Sequence, residues 1–160
     1  MNPLLQSVQL ALQNATQEEA LVYIDKVVNF CIEKENGKVL DGWPRDLIQL
    51  LVAYHMAKDT ITTEQDEEGN ILGVLMWYNC DEEDDWFFVQ NWEADKPDGN
   101  AIFMAFLFAE DNQSFKKLTH NFIIQCPEVM EKKLLGIRYR KGAPTKVVYS
   151  TALFNKILGI

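Results

Sequence analysis

The sequence predicts one α/β domain of the α+β type: N-terminal helices, an antiparallel β-meander, crossover helices, then a strand hairpin and a C-terminal helix. Three observations carry this. Apolar residues recur at helical spacing as far as His55. Half-polar and β-branched segments separated by turn residues then run from Asp59 to Glu93. Two further strand-like segments flank Lys141-Gly142-Ala143-Pro144. The 160 residues contain no repeat, low-complexity tract or Gly/Ser linker, so residues 1–160 read as one domain, with 1–40 a helical N-terminal extension.

The elements follow in order. Leu4, Leu5, Val8 and Leu12 share one helical face. Thr16-Gln17-Glu18-Glu19 fits a capping box, and the helix it opens reaches about Lys34, with Ala20, Val27, Phe30 and Cys31 turned inward. Asn36-Gly37 stops it, because both tolerate a left-handed backbone. Gly42-Trp43-Pro44 opens the next helix, where a proline loses no hydrogen bond. Leu47, Ile48, Leu51, Val52 and His55 form its apolar stripe. Thr60–Glu64 and Ile71–Tyr78 read as strands around the turn Asp66–Asn70, and Gly73 marks a bulge or a close approach. Trp86–Glu93 reads as the third strand, after the turn Asp81–Asp85. Lys96–Asn100 leads into a helix from Ala101 to about Glu110, and a second covers Ser114 to about Gln125. Leu134–Arg140 and Thr145–Tyr149 form the hairpin. The first of the two runs parallel to the third strand, as a crossover allows. Ser150 or Thr151 caps a last helix through Leu158.

Charge and composition narrow the function classes. The net charge of −9 hides an asymmetry: residues 1–114 carry 6 Lys/Arg against 22 Asp/Glu, and residues 115–160 carry 9 against 2. The acidic body repels nucleic acid and anionic membrane. The basic third either packs against that body or docks an acidic protein through Lys132, Lys133, Arg138, Arg140, Lys141 and Lys146. It lacks the aromatic interleaving of a nucleic-acid surface. No apolar run is long enough to span a bilayer, and no secretory signal is evident. Cys31, Cys80 and Cys126 are too few and too scattered for a disulfide framework or a zinc site. They point to a reducing compartment, hence the cytoplasm of a bacterial or host cell, or a virion if the chain is phage-encoded.

A more specific expectation comes from local landmarks. Gly42-Trp43-Pro44, a helix, a strand, an acidic turn and Gly73 through Trp77 follow one another, with 33 residues from Pro44 to Trp77. Trp86-Phe87-Phe88, Asn91-Trp92 and Asp98-Gly99-Asn100 come next, then Cys126-Pro127-Glu128 through Arg138. Across residues 41–140 this resembles the toxin-activating lysine acyltransferases, a GNAT-like family. The resemblance implies a GNAT-like fold, an acyl-CoA or acyl carrier protein thioester as donor, and an amine as acceptor. It implies that Trp43, Asn91 and Trp92 line the cleft, that Tyr78 or Tyr139 serves as acid, and that Arg138 meets the donor's phosphate. Lys96 lies in the stretch matched to the coenzyme loop, beside Asp98 and a single glycine.

The departures bear on catalysis. The family's histidine falls at Leu40, and its aspartate at Asn91, or at Val89 in a second alignment. Leucine accepts no proton, and an amide is no base. The sequence therefore leaves two readings: an acyltransferase-like protein with eroded catalytic residues, or a non-catalytic structural or interaction module, such as a phage or mobile-element protein, that keeps the fold.

The remaining chemistry-bearing residues have plainer uses. His55 sits on an apolar helix face, and His120 among Lys116, Lys117 and Asn121 on a solvated one; neither has a metal-binding partner at helical spacing. Asp81–Asp85 lacks the ligand alternation of a calcium loop and reads as a solvated turn that guards strand edges. Trp77, Trp86 and Trp92 fit a core better than an acyl slot.

Overall fold

The computed structural model describes residues 17–35, 39–83, 95–140, 143–149, 152 and 155–156. The stripe at Leu4–Leu12, the cap at Thr16, the proposed strand Trp86–Glu93 and most of the C-terminal helix lie outside them. Among the described residues, three helices cover the two faces of a five-stranded mixed sheet, an α+β architecture.

The first face is built by α1 (Gln17–Lys34) and α2 (Arg45–Lys58). Glu18 and Glu19 lie in the first turn of α1 and Lys34 in its last, each at the end of the helix dipole that favours its charge. Val27, Val28, Phe30 and Cys31 face inward from α1; Ile48, Leu51, Val52, His55 and Met56 face inward from α2. Asp59, in the left-handed region at φ 59°, ends α2, and its N–H reaches the Met56 carbonyl. Asp25 accepts from Gln49 at 2.8 Å and pairs with Arg45 at 3.3 Å, which ties the two helices together.

The sheet runs β1 (Ile61–Gln65), β2 (Ile71–Cys80), β3 (Ala101–Ala109), β4 (Lys133–Arg140), β5 (Ala143–Tyr149), in that spatial order. The turn between β1 and β2 is held by the Asp66 carboxylate, which accepts from the Glu68 and Asn70 amides at 2.9 Å. The first three strands form an antiparallel meander. Its third strand is not the expected one. Ala101–Ala109, expected as a helix, pairs with β2 from Gly73 to Cys80 and fills the place assigned to Trp86–Glu93.

The reason is burial. Nine consecutive apolar residues satisfy a helix of high propensity and a strand covered on both faces equally well, so periodicity cannot separate them. Here both faces are covered. Ala101, Phe103 and Phe106 pack under α1 and α2, while Ile102, Met104 and Leu107 pack on the opposite side.

That opposite side is closed by α3 (Asn112–Gln125) and a 3₁₀ turn (Pro127–Met130), through Leu118, Phe122 and Val129 against Trp77, Leu75 and Leu134. Trp77 and Phe122 rings sit 4.7 Å apart. Gly73 is a close approach: a Cβ there would meet Leu118 at 3.2 Å. The single helix α3 makes the crossover, so β4 lies parallel to β3, and β5 returns antiparallel as expected. No described helix is long and apolar enough to cross a membrane.

Candidate functional site: a wedge between two parallel strands

The parallel ladder between β3 and β4 is short. Ala101, Ile102 and Phe103 pair with Lys133, Leu134 and Leu135, and pairing stops there. β3 continues to Ala109 and β4 to Arg140. Among the described residues no strand pairs with β3 on that side beyond Phe103. Among the described residues the facing edges of β3 beyond Phe103 and of β4 beyond Leu135 thus lie unpaired, a wedge of free strand edge toward their C-terminal ends.

A β-bulge accompanies the end of pairing. Met76 of β2 faces Phe106, yet its neighbour Trp77 faces Met104, so Ala105 is the extra residue. Ala105 and Phe106 consequently sit side by side on the face covered by α1 and α2, where strict alternation would have separated them. A bulge bends its strand and increases the local twist. It lies two residues past the last β3–β4 pair, where the parallel register ends.

The wedge is flanked by apolar side chains. Phe106 is buried and makes a T-shaped contact with the half-buried Trp43 indole, with ring centroids 6.0 Å apart and planes at 77°. Ile137 of β4 packs on the same core, and Met104 and Leu107 turn to the α3 face. β3 contains only Ala, Ile, Phe, Met and Leu, so it offers no ionisable group to the wedge.

The loop that leads into α3 is acidic. Asp111 caps that helix, its carboxylate accepting from the Ser114 amide at 2.8 Å, and these hydrogen bonds hold its carboxyl below the ordinary range. Glu110 precedes it and pairs with Lys34 at 2.7 Å. Lys96–Asn100, expected as the coenzyme loop at a helix N-terminus, instead feeds strand β3. Its Lys96 amide donates to the Asn79 carbonyl, and its ammonium lies 3.5 Å from Asp81. Lys96 therefore sits at the closed end of the ladder, away from the wedge mouth.

The other expected residues distribute as follows. Tyr78 is buried beneath α2, paired in register with Phe103; burial, with Tyr54 and Asp95 adding, raises its phenol well above the usual value. Such a phenol keeps its proton and reaches no solvent. Arg138 and Tyr139 lie on β4 by their backbone, and their side chains are outside the described set, as are Asn91 and Trp92. Leu40, at the family's histidine position, is a core residue. His55 is buried as well. Its Nδ1 meets the Thr60 hydroxyl at 2.7 Å, its Nε2 has no hydrogen-bond partner among the described residues, and burial lowers its pKa to about 3. Cys31 and Cys126 are buried thiols pushed up to about 12. Among the described residues no group of His, Cys, Asp or Glu could hold a metal ion.

Part of the basic segment pairs with the chain's own acidic turn at the surface. Lys133 pairs with Glu82 at 2.6 Å, and Lys146 donates to the Glu82 carbonyl. The acidic turn after β2 is thus braced against the hairpin.

The bulge and the wedge are the features that residue patterns did not disclose. The signal was present in the nine-residue apolar run bounded by Asn100 and Glu110, but only the partner strands fix its reading. No protein-family model matches this chain, and no curated protein is similar to it in sequence.

Proposed function

We propose that this chain is an acyltransferase-like protein of the GNAT-like fold whose β3–β4 wedge receives the extended arm of a thioester donor, from which an acyl group passes to an amine. The observation that carries the reading is the end of pairing between β3 and β4 after Phe103 and Leu135, next to the bulge at Ala105. An edge of strand backbone that has no neighbouring strand among the described residues suits a ligand that itself carries amides in extended form, because it completes the ladder. A pantetheine arm has two such amides.

The acidic α3 entry selects among donors. Asp111 already occupies an N-terminal amide of α3 that would help cradle a pyrophosphate. A donor without a nucleotide, such as an acyl carrier protein thioester, fits better than acyl-CoA. With no base on β3, the protein would act by holding donor and amine together.

A second reading has its own support. The wholly apolar β3 and the buried Tyr78 and His55 suit a non-catalytic interaction module, for example of phage or mobile-element origin, that uses the wedge to hold an extended chain. Thermal-shift titrations separate the two. The acyltransferase-like reading expects stabilisation by acyl carrier protein thioester and by S-acyl pantetheine, with release of free thiol when an amine is added. Stabilisation without thiol release leaves the interaction module, and no stabilisation by any donor contradicts the donor site.

A further inference from the structure

We infer that Trp43 is a positioning residue: its indole fixes Phe106, and through Phe106 the Ala105 bulge that follows the last β3–β4 pair. The inference builds on the donor-wedge reading, and the contact itself exists without any donor.

Trp43 is held at a rigid corner. Its N–H donates to the Leu40 carbonyl at 3.0 Å, closing a turn with Gly42 at φ 78° in the third place. That is the geometry of a type II turn, where a residue of positive φ is required. Leu40 is buried, and its own N–H donates to the Glu35 carboxylate at 3.2 Å. On the other side Pro44 restricts Trp43 to extended backbone and begins α2. Asp25 then anchors Arg45 and Gln49 in that helix's first turn and a half. The corner therefore presents the indole in one direction, and what it meets is Phe106.

Phe106 is the residue on which the bulge turns. It shares the position opposite Met76 with Ala105, and two successive side chains on one face leave unequal space to fill. Ala105 takes little of it; Phe106 takes the rest only if something confines the ring. The Trp43 indole supplies that confinement. Without it the phenylalanine can rotate and the extra residue can migrate along β3, since a bulge costs little to shift where packing does not pin it.

The test compares Trp43→Ala, Trp43→Leu and Trp43→Phe with Val52→Ala, which opens the same core from α2. Two quantities are read in each folded variant: hydrogen–deuterium exchange at the 104–107 amides, and the Kd for S-acetyl pantetheine. Trp43→Leu is expected to raise exchange at 104–107 at least tenfold relative to Val52→Ala and to weaken binding about tenfold. Trp43→Phe should restore most of both. Should Trp43→Ala not fold, the leucine variant carries the comparison. Equal exchange in Trp43→Leu and Val52→Ala would overturn the positioning role. If the wild-type protein binds no S-acetyl pantetheine, the donor-wedge reading falls, and the exchange comparison still decides the role of Trp43.

Discussion

Phe103 and Leu135 are the last partners in the parallel ladder of the sheet, and no pair forms between the two strands beyond them. Two parallel strands that begin in register ordinarily continue to pair while both persist, because each added residue satisfies backbone groups. β3 and β4 persist and do not pair. The bulge at Ala105 supplies a local cause, and Trp43 and Phe106 supply its packing.

His55 makes stability depend on pH. Its pKa falls from an ordinary 6.5 to about 3, because burial penalises the imidazolium. The unfolded chain then binds more protons than the folded one between these values, so stability is fully present above about pH 6.5 and is lost as pH falls toward 3. The slope from this group approaches about 1.4 kcal/mol per pH unit. Urea midpoints from pH 7.5 to 4 should decline in the native protein and decline less steeply in His55→Gln.

Gly99 should tolerate no side chain. It crosses against the backbone of Cys80, and an added Cβ would fall inside the Cys80 carbonyl. Backbone cannot move aside as a side-chain tip does, so Gly99→Ala should cost about 3 kcal/mol in chemical denaturation. Gly73→Ala is the contrast. Its nearest contact is the flexible end of Leu118, and the expected cost is about 1 kcal/mol.

Gln125 closes the corner between α2 and β1. Its amide nitrogen lies 3.0 Å from the Asp59 carboxylate and 2.9 Å from the Ile61 carbonyl. Gln125→Ala leaves half-buried acceptors without that donor. A loss of about 1–2 kcal/mol is expected, readable as a lower urea midpoint with unchanged m-value.

Asp111 combines a cap with a negative charge at the entry to α3. Asp111→Ala should lower the thermal midpoint by about 3 °C through loss of the cap. Asp111→Ser keeps a capping oxygen and removes the charge, so it should hold the midpoint. If the carboxylate is what disfavours a nucleotide, Asp111→Ser should also tighten coenzyme A while leaving S-acyl pantetheine unchanged, as calorimetry would report.

The contrast between legible and hidden features has a physical basis. α2 is legible because Pro44 marks its start and Ile48, Leu51, Val52 and His55 repeat on one face. The β1–β2 hairpin is legible from Asp66 and Gly69, whose turn chemistry is local. The segment Ala101–Ala109 is not, since its identity as a strand depends on β2 and on the helices that cover it. That one segment moved the third strand of the meander from Trp86–Glu93 to residues that carry no ionisable group. The candidate site suffered most. An end of pairing between strands and a bulge at Ala105 are relations between distant residues, and no local pattern encodes them. The Gly42-Trp43-Pro44 landmark put Trp43 forward as an expected cleft residue, while its contact with Phe106 had no local signal.

The most direct test of the wedge is a backbone-amide titration by heteronuclear NMR with S-acetyl pantetheine. Saturable shift changes are expected, concentrated at Met104–Ala109 of β3 and at residues 136–140 of β4, with little change at β1. Saturable changes confined to other parts of the chain, or none at millimolar ligand, would contradict the donor wedge.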